Sequence, residues 1–90
     1  MVLVVKRRGK TEPFDDKKLY ESIYSACKDV NMDVHRCEGT AAKVVADVKA
    51  HFKARKEVNT TEVFGAVIEL LAKHHEAAAF MYETHRELSG

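Results

Sequence analysis

Ninety residues, 46% apolar and 32% charged, have the composition of one soluble domain spanning residues 1–90 with a modest core, and they exclude a disordered chain. Fifteen basic residues against fourteen acidic ones leave no global field able to hold DNA, RNA or an anionic membrane by counterion release, so nucleic acid is an unlikely partner on charge alone. No apolar run approaches the ~20 residues of a membrane-spanning helix, and Met1 to Val5 is too short for the core of a secretory leader; a cytoplasmic setting without membrane attachment is expected.

The chain opens on the apolar run Val2 to Val5, followed by Lys6, Arg7, Arg8, Gly9 and Lys10 and then by Thr11, Glu12, Pro13 and Phe14. The pattern reads as a two-stranded β-hairpin with its turn at the glycine. Lys17 and Lys18 follow in the first turn of the next helix, so two groups of cations can converge on one polyanion. A phosphate-rich ligand is the natural candidate.

Leu19, Ile23, Ala26 and Cys27 recur at helical spacing, and Phe14 can staple against Leu19 across the helix start, which predicts a helix from about Asp16 to Val30. Asn31, Met32 and Asp33 interrupt the pattern. A longer apolar stripe then runs through Val34, Cys37, Ala41, Val44, Val45, Val48 and Phe52. Gly39 inside it costs about 1 kcal/mol relative to alanine, so the beginning of this second helix is expected to be separate or irregular.

Lys53 to Lys56 places cations at the second helix's negative end, and Val58-Asn59-Thr60-Thr61-Glu62-Val63 supplies a cap and an acidic third position for a third helix ending near His74. That helix is the most apolar and is expected at the centre of the bundle. Ala77, Phe80, Met81, Thr84 and Leu88 are expected to form the inward face of a short last helix, with Glu76, Glu83, Arg86 and Glu87 solvated.

The opening passage, Val4 to Leu19, resembles the signature of the ATP-cone, a nucleotide-sensing module of ribonucleotide reductases and of their nucleotide-responsive repressors. The resemblance extends loosely to Thr60 and through Leu88. It implies an α+β fold: an N-terminal two-stranded β-hairpin packed on a bundle of about four α-helices. It also implies a regulatory ligand, ATP or dATP, with magnesium as a candidate companion ion, acting through a homo-oligomer or through contacts with a ribonucleotide reductase or its regulator.

Carried over residue by residue, the family's hairpin Lys-Arg pair falls on Lys6 and Arg7, its later lysine on Lys18 and its threonine at a helix start on Thr60. These supply fixed positive charge and a hydroxyl beside exposed helix amides, which is what a triphosphate requires. Its glutamate falls on Glu12, whose carboxylate could accept from the adenine amino group or merely pair with a lysine across the strands. Val5 and Leu3, or their strand neighbours, are the candidates for packing on the purine, with Leu19 and Ile23 beneath. Asp15 stands where some members carry asparagine, and its simplest role is to cap the first helix. Arg8, where the family often has aspartate, is a further candidate phosphate contact.

Other chemistry is poorly supported. His74, His75 and His85 lack the spacing and partners of a metal site, as do His35 and Cys37, and His51 reads as a boundary group. Cys27 and Cys37 fall on apolar stripes as buried thiols, while Ser22 and Ser25 have no histidine nearby in sequence. The chain is therefore read as a non-enzymatic sensor. It contains neither a reductase catalytic domain nor a zinc ribbon, so it is expected to act in trans or as a piece of a longer protein. The alternatives are a small helical nucleic-acid-binding transcriptional regulator that uses the basic hairpin as an arm, and a protein-interaction module with a degenerate nucleotide pocket.

Overall fold

The computed structural model describes residues 2–6 and 9–89, with side chains through residue 84. Seven elements follow in order: β1 (Leu3–Val5), β2 (Thr11–Pro13), α1 (Asp16–Asp29), α2 (Val34–His51), β3 (Glu57–Asn59), α3 (Thr60–His74) and α4 (Glu76–Ser89). The architecture is α+β. It differs from the expected hairpin in having a third strand: β1 pairs antiparallel with β2, placing Val4 opposite Glu12, and parallel with β3, placing Val4 opposite Val58. β1 is thus the central strand, and α1 and α2 form the crossover that a parallel pair requires.

Local chemistry explains the helix boundaries. Asp15 Oδ1 accepts the Lys18 N–H at 3.1 Å and opens α1, the capping role expected of it. At the other end Asn31 adopts φ +61°, the Met32 N–H donates to the Cys27 carbonyl and the Asn31 N–H to the Lys28 carbonyl. This is the double reverse bond of a left-handed helix stop, for which asparagine is the best substitute for glycine. Asp33 then caps α2 through a 3.3 Å bond from the Arg36 N–H, and Asn59 caps α3 through a 2.8 Å bond from the Glu62 N–H. At the α3–α4 junction, His75 Nδ1 accepts the Ala78 N–H at 3.1 Å, so this imidazole works as a helix cap.

The helices pack as a ring in which α1 meets α2 and α4, and α3 meets α2 and α4. Ile23, Cys27, Val44, Val48, Val67 and Leu71 are fully buried between them, and Val58 carries β3 into the same core. Three sequence expectations are corrected here. α2 runs through Gly39 without interruption, because the glycine lies on the exposed side and its backbone bonds are those of the helix. α3 is one member of the ring and not its centre, with Thr61, Gly65, Glu69 and Lys73 exposed along one side and Val63, Phe64, Ile68 and Leu70 only half-buried.

The third correction concerns the phase of α4. Ala78, Ala79 and Tyr82 are buried, whereas Ala77 is exposed and Phe80 is 67% exposed. Small alanines allow the close approach to α1 and α3, and that approach selects the face that a reading weighted toward the largest apolar residues misses. Thr84 is half-buried and donates to the Phe80 carbonyl within its own helix, while the side chains of Arg86, Glu87 and Leu88 lie outside the described residues. Val34, on the expected α2 stripe, is 42% exposed at the first position of the helix.

Candidate functional site

The hairpin turn is closed by backbone bonds from the Lys6 N–H to the Lys10 carbonyl at 2.7 Å and from the Gly9 N–H to the Lys6 carbonyl at 3.2 Å. Gly9 has φ +75°, a conformation that L side chains rarely adopt, so glycine is favoured here. Arg7 and Arg8, both candidates for phosphate contact, lie outside the described residues. Strand alternation turns Lys6 and Glu12 to one side, where Lys6 Nζ and Glu12 Oε1 form an ion pair of 3.0 Å.

Beneath this pair is a cavity of about 260 Å³. The hairpin contributes Val4, Lys6, Glu12 and Pro13; the entry to α1 contributes Phe14 and Asp15; α1 contributes Lys18, Leu19 and Ser22; α3 contributes Thr60, Val63 and Phe64; α4 contributes Tyr82. Its mouth is therefore polar and cationic, while its wall is apolar and aromatic, with the Phe64 and Tyr82 rings 5.6 Å apart. A second, more open groove of about 500 Å³ lies between the end of α2 and α3. Its lining contains Glu62 and Glu69, and Arg55 is engaged with Glu62 at 3.0 Å, so it offers an anion less than the first.

Lys6, Glu12, Lys18, Leu19 and Thr60, singled out from the sequence, all line the first cavity. Val5 and Ile23 do not. The pleat puts Val4 on the cavity side and turns Val5 away from it, and Ile23 is fully buried one helical turn below Leu19. Val5 is nevertheless tied to the site through its backbone, because the Thr60 hydroxyl donates to the Val5 carbonyl at 3.2 Å. Asn59 takes the cap of α3, as the sequence allowed, but the Thr60 hydroxyl is not left idle: its one proton is committed to β1. Lys18 Nζ has no partner among the described residues, and Ser22 donates to its own helix at the Leu19 carbonyl.

Sequence reasoning singled out neither Tyr82 nor Phe64 for the site. The available signal for Tyr82 was its position four residues after Ala78 on a face of small residues, a pattern outweighed by Phe80 and Met81. Among the described residues no group of three or more histidine, cysteine, aspartate or glutamate side chains is placed to hold a metal ion. None of the described helices is long and apolar enough to cross a membrane.

The hairpin and the helices α1, α3 and α4 thus enclose one cavity with Lys6 and Lys18 on its lining. Residues 2–88 match the ATP cone domain, and the chain belongs to that family. Among curated proteins it is 29% identical over 90 residues to the transcriptional repressor NrdR of Thermosynechococcus vestitus, covering 99% of this chain and 54% of that one. It is 33% identical over 91 residues to NrdR of Thermosipho melanesiensis, covering 97% and 59%, and 36% identical over 78 residues to NrdR of Corynebacterium kroppenstedtii, covering 87% and 51%. The chain spans about half the length of the curated relatives it matches.

These relatives overturn the expectation that nucleic acid is an unlikely partner, since a transcriptional repressor works at DNA. The balanced charge that suggested it is a sum over 90 residues, and a net sum does not describe a local group of cations such as that from Lys6 to Lys10.

Proposed function

We propose that this chain is an allosteric adenine-nucleotide sensor, binding ATP or dATP at the hairpin cavity and contributing to the control of ribonucleotide reductase. The observation that carries the reading is the convergence of Lys6, Glu12, Lys18 and Thr60, from four separate elements or their junctions, on one cavity with an aromatic wall. Lys6 and Lys18 would hold the phosphates from opposite sides of the mouth, with Arg7 and Arg8 as further cations on the hairpin and the first amides of α3 as donors. Glu12 would accept from the adenine amino group, and Val4, Leu19, Phe64 and Tyr82 would pack against the base and sugar. The cavity is smaller than the ~300 to 1,000 Å³ typical of ligand pockets, which suits a nucleoside inside and phosphates across the cationic rim. Magnesium, where present, would enter with the phosphates, because it keeps most of its ligands as water and phosphate oxygen.

The role is regulatory and non-enzymatic, in a cytoplasmic protein. The nucleotide would shift an equilibrium between assemblies of the chain, or between the chain and a partner, by binding them with different free energies. Calorimetric titration with ATP, dATP and GTP, with light scattering on the same samples, tests this. Saturable binding of the adenine nucleotides with a ligand-dependent change in size is expected; no binding of either would sink the sensor.

The repressor relatives favour a second reading, that the chain takes part in DNA control, with the basic hairpin touching the phosphate backbone. It predicts duplex affinity that falls steeply with salt. Titration of duplex DNA at two salt concentrations separates the readings, and both hold if nucleotide changes the DNA affinity.

A further inference from the structure

We propose that Glu12 serves as an internal stand-in for phosphate: its carboxylate occupies Lys6 in the ligand-free site, and phosphate binding displaces it and so frees it to read the base. The inference rests on the sensor reading above and adds how that site couples its two halves. Lys6 Nζ lies 3.0 Å from Glu12 Oε1, and both side chains are about half exposed, at 50% and 45%. A pair in that setting has a small net free energy, so a more highly charged anion at the same mouth can exchange with it.

The remaining donors support an exchange over simple addition. Thr60 has given its proton to the Val5 carbonyl and Ser22 its proton to the Leu19 carbonyl. Of the groups at the cavity mouth, only Lys18 is left with no partner among the described residues. A polyphosphate that engages both lysines of the cavity lining must therefore take Lys6 from Glu12. The released carboxylate, still on the cavity lining, then lacks a counter-ion and its best replacement is an N–H donor.

At C6 adenine offers an amino group where guanine offers a carbonyl oxygen, so a carboxylate held against that substituent accepts from the first and is repelled by the second. Glu12 thus opposes the phosphate and selects the base. Removing its charge should have opposite effects on two ligands, a signature that neither a structural salt bridge nor a plain base contact produces.

The test is a double-mutant cycle read with two probes, inorganic tripolyphosphate and ATP against GTP. Glu12→Gln should tighten tripolyphosphate binding by about two- to five-fold, the range set by a half-exposed pair. The same substitution made on top of Lys6→Ala should leave tripolyphosphate affinity unchanged, because no ion pair remains to be broken. In the single variant the preference for ATP over GTP should fall toward one. Melting curves establish that the variants fold, and Lys6→Gln replaces Lys6→Ala if the latter does not.

No ATP binding by the unaltered chain would remove the sensor reading itself. ATP binding combined with a tripolyphosphate affinity indifferent to Glu12→Gln overturns the exchange alone. So does a tightening that persists without Lys6, since that would be the general field of one negative charge.

Discussion

Cys27 and Cys37 show how burial rather than spacing sets the chemistry of a side chain. Both are fully inaccessible, Cys37 Sγ donates to the Met32 carbonyl at 3.4 Å, and Cys27 lies beside it. Burial, reinforced by the charge of the neighbouring Cys37 and a hydrogen bond with it, pushes the Cys27 thiol up to about 11. The native thiols should react with an aromatic disulfide reagent at pH 8 only as fast as the protein opens, and immediately in denaturant. Because the folded protein holds this proton more tightly than the unfolded chain, its contribution is fully present below pH 9 and is lost as pH rises toward 11. Urea midpoints measured at pH 8, 9.5 and 10.5 should therefore decline in that order, and should decline less in Cys27→Ala. At the hairpin, Gly9→Ala forces a left-handed alanine and should cost about 1 kcal/mol in the same assay.

At the scale of elements, end signals are local and side chains supply them within a few residues, so the starts of α1 and α3 were legible: Asp15 and Asn59 bond to amides three residues on. Asp15→Ala should lower stability by about 1 kcal/mol, read from the urea midpoint. Which face an element buries is a different matter. In α4 the alternatives are separated by whether Phe80 or Tyr82 points inward, and Tyr82 is 6% exposed where Phe80 is 67% exposed. Tyr82→Ala should cost roughly 3 kcal/mol, within the range for buried aromatics, while Phe80→Ser should change stability by less than about 0.5 kcal/mol. The reverse order would mean that α4 is rotated in solution. The strand β3 was missed for a related reason: three residues with one buried side chain carry no alternation, and only the presence of β1 beside them makes a strand.

For the whole molecule, a domain of 90 residues has little stability to spare, and a ligand that binds only the folded form adds to it directly. At 100 times its dissociation constant a nucleotide would contribute about 2.7 kcal/mol, which for a domain of this size raises Tm by about 10 °C or more. Scanning fluorimetry with ATP, dATP and GTP should show that rise for the adenine nucleotides and lose it in Lys18→Ala, whose exposed side chain supports no other described contact. The cavity joins β1, β2, α1, α3 and α4, so the gain belongs to the joined fold and not to any one element.

Read alone, the amino-acid sequence determined what depends on neighbours within a few residues: the glycine turn, the caps of α1 and α3, the apolar stripes of α1 and α2, and a basic hairpin with the ATP-cone wording from Val4 to Leu19. Tertiary structure decided what depends on partners far along the chain. The Thr60 hydroxyl finds its acceptor 55 residues away at Val5, Val58 completes a sheet with β1, and α3 and α4 meet to bring Phe64 and Tyr82 together in the cavity wall. Periodicity records that a face is apolar but not which neighbour will cover it, and a charged motif names its residues without saying which are already bonded to each other. Those outcomes are set by packing and by competition among donors and acceptors, which exist only once the chain has folded.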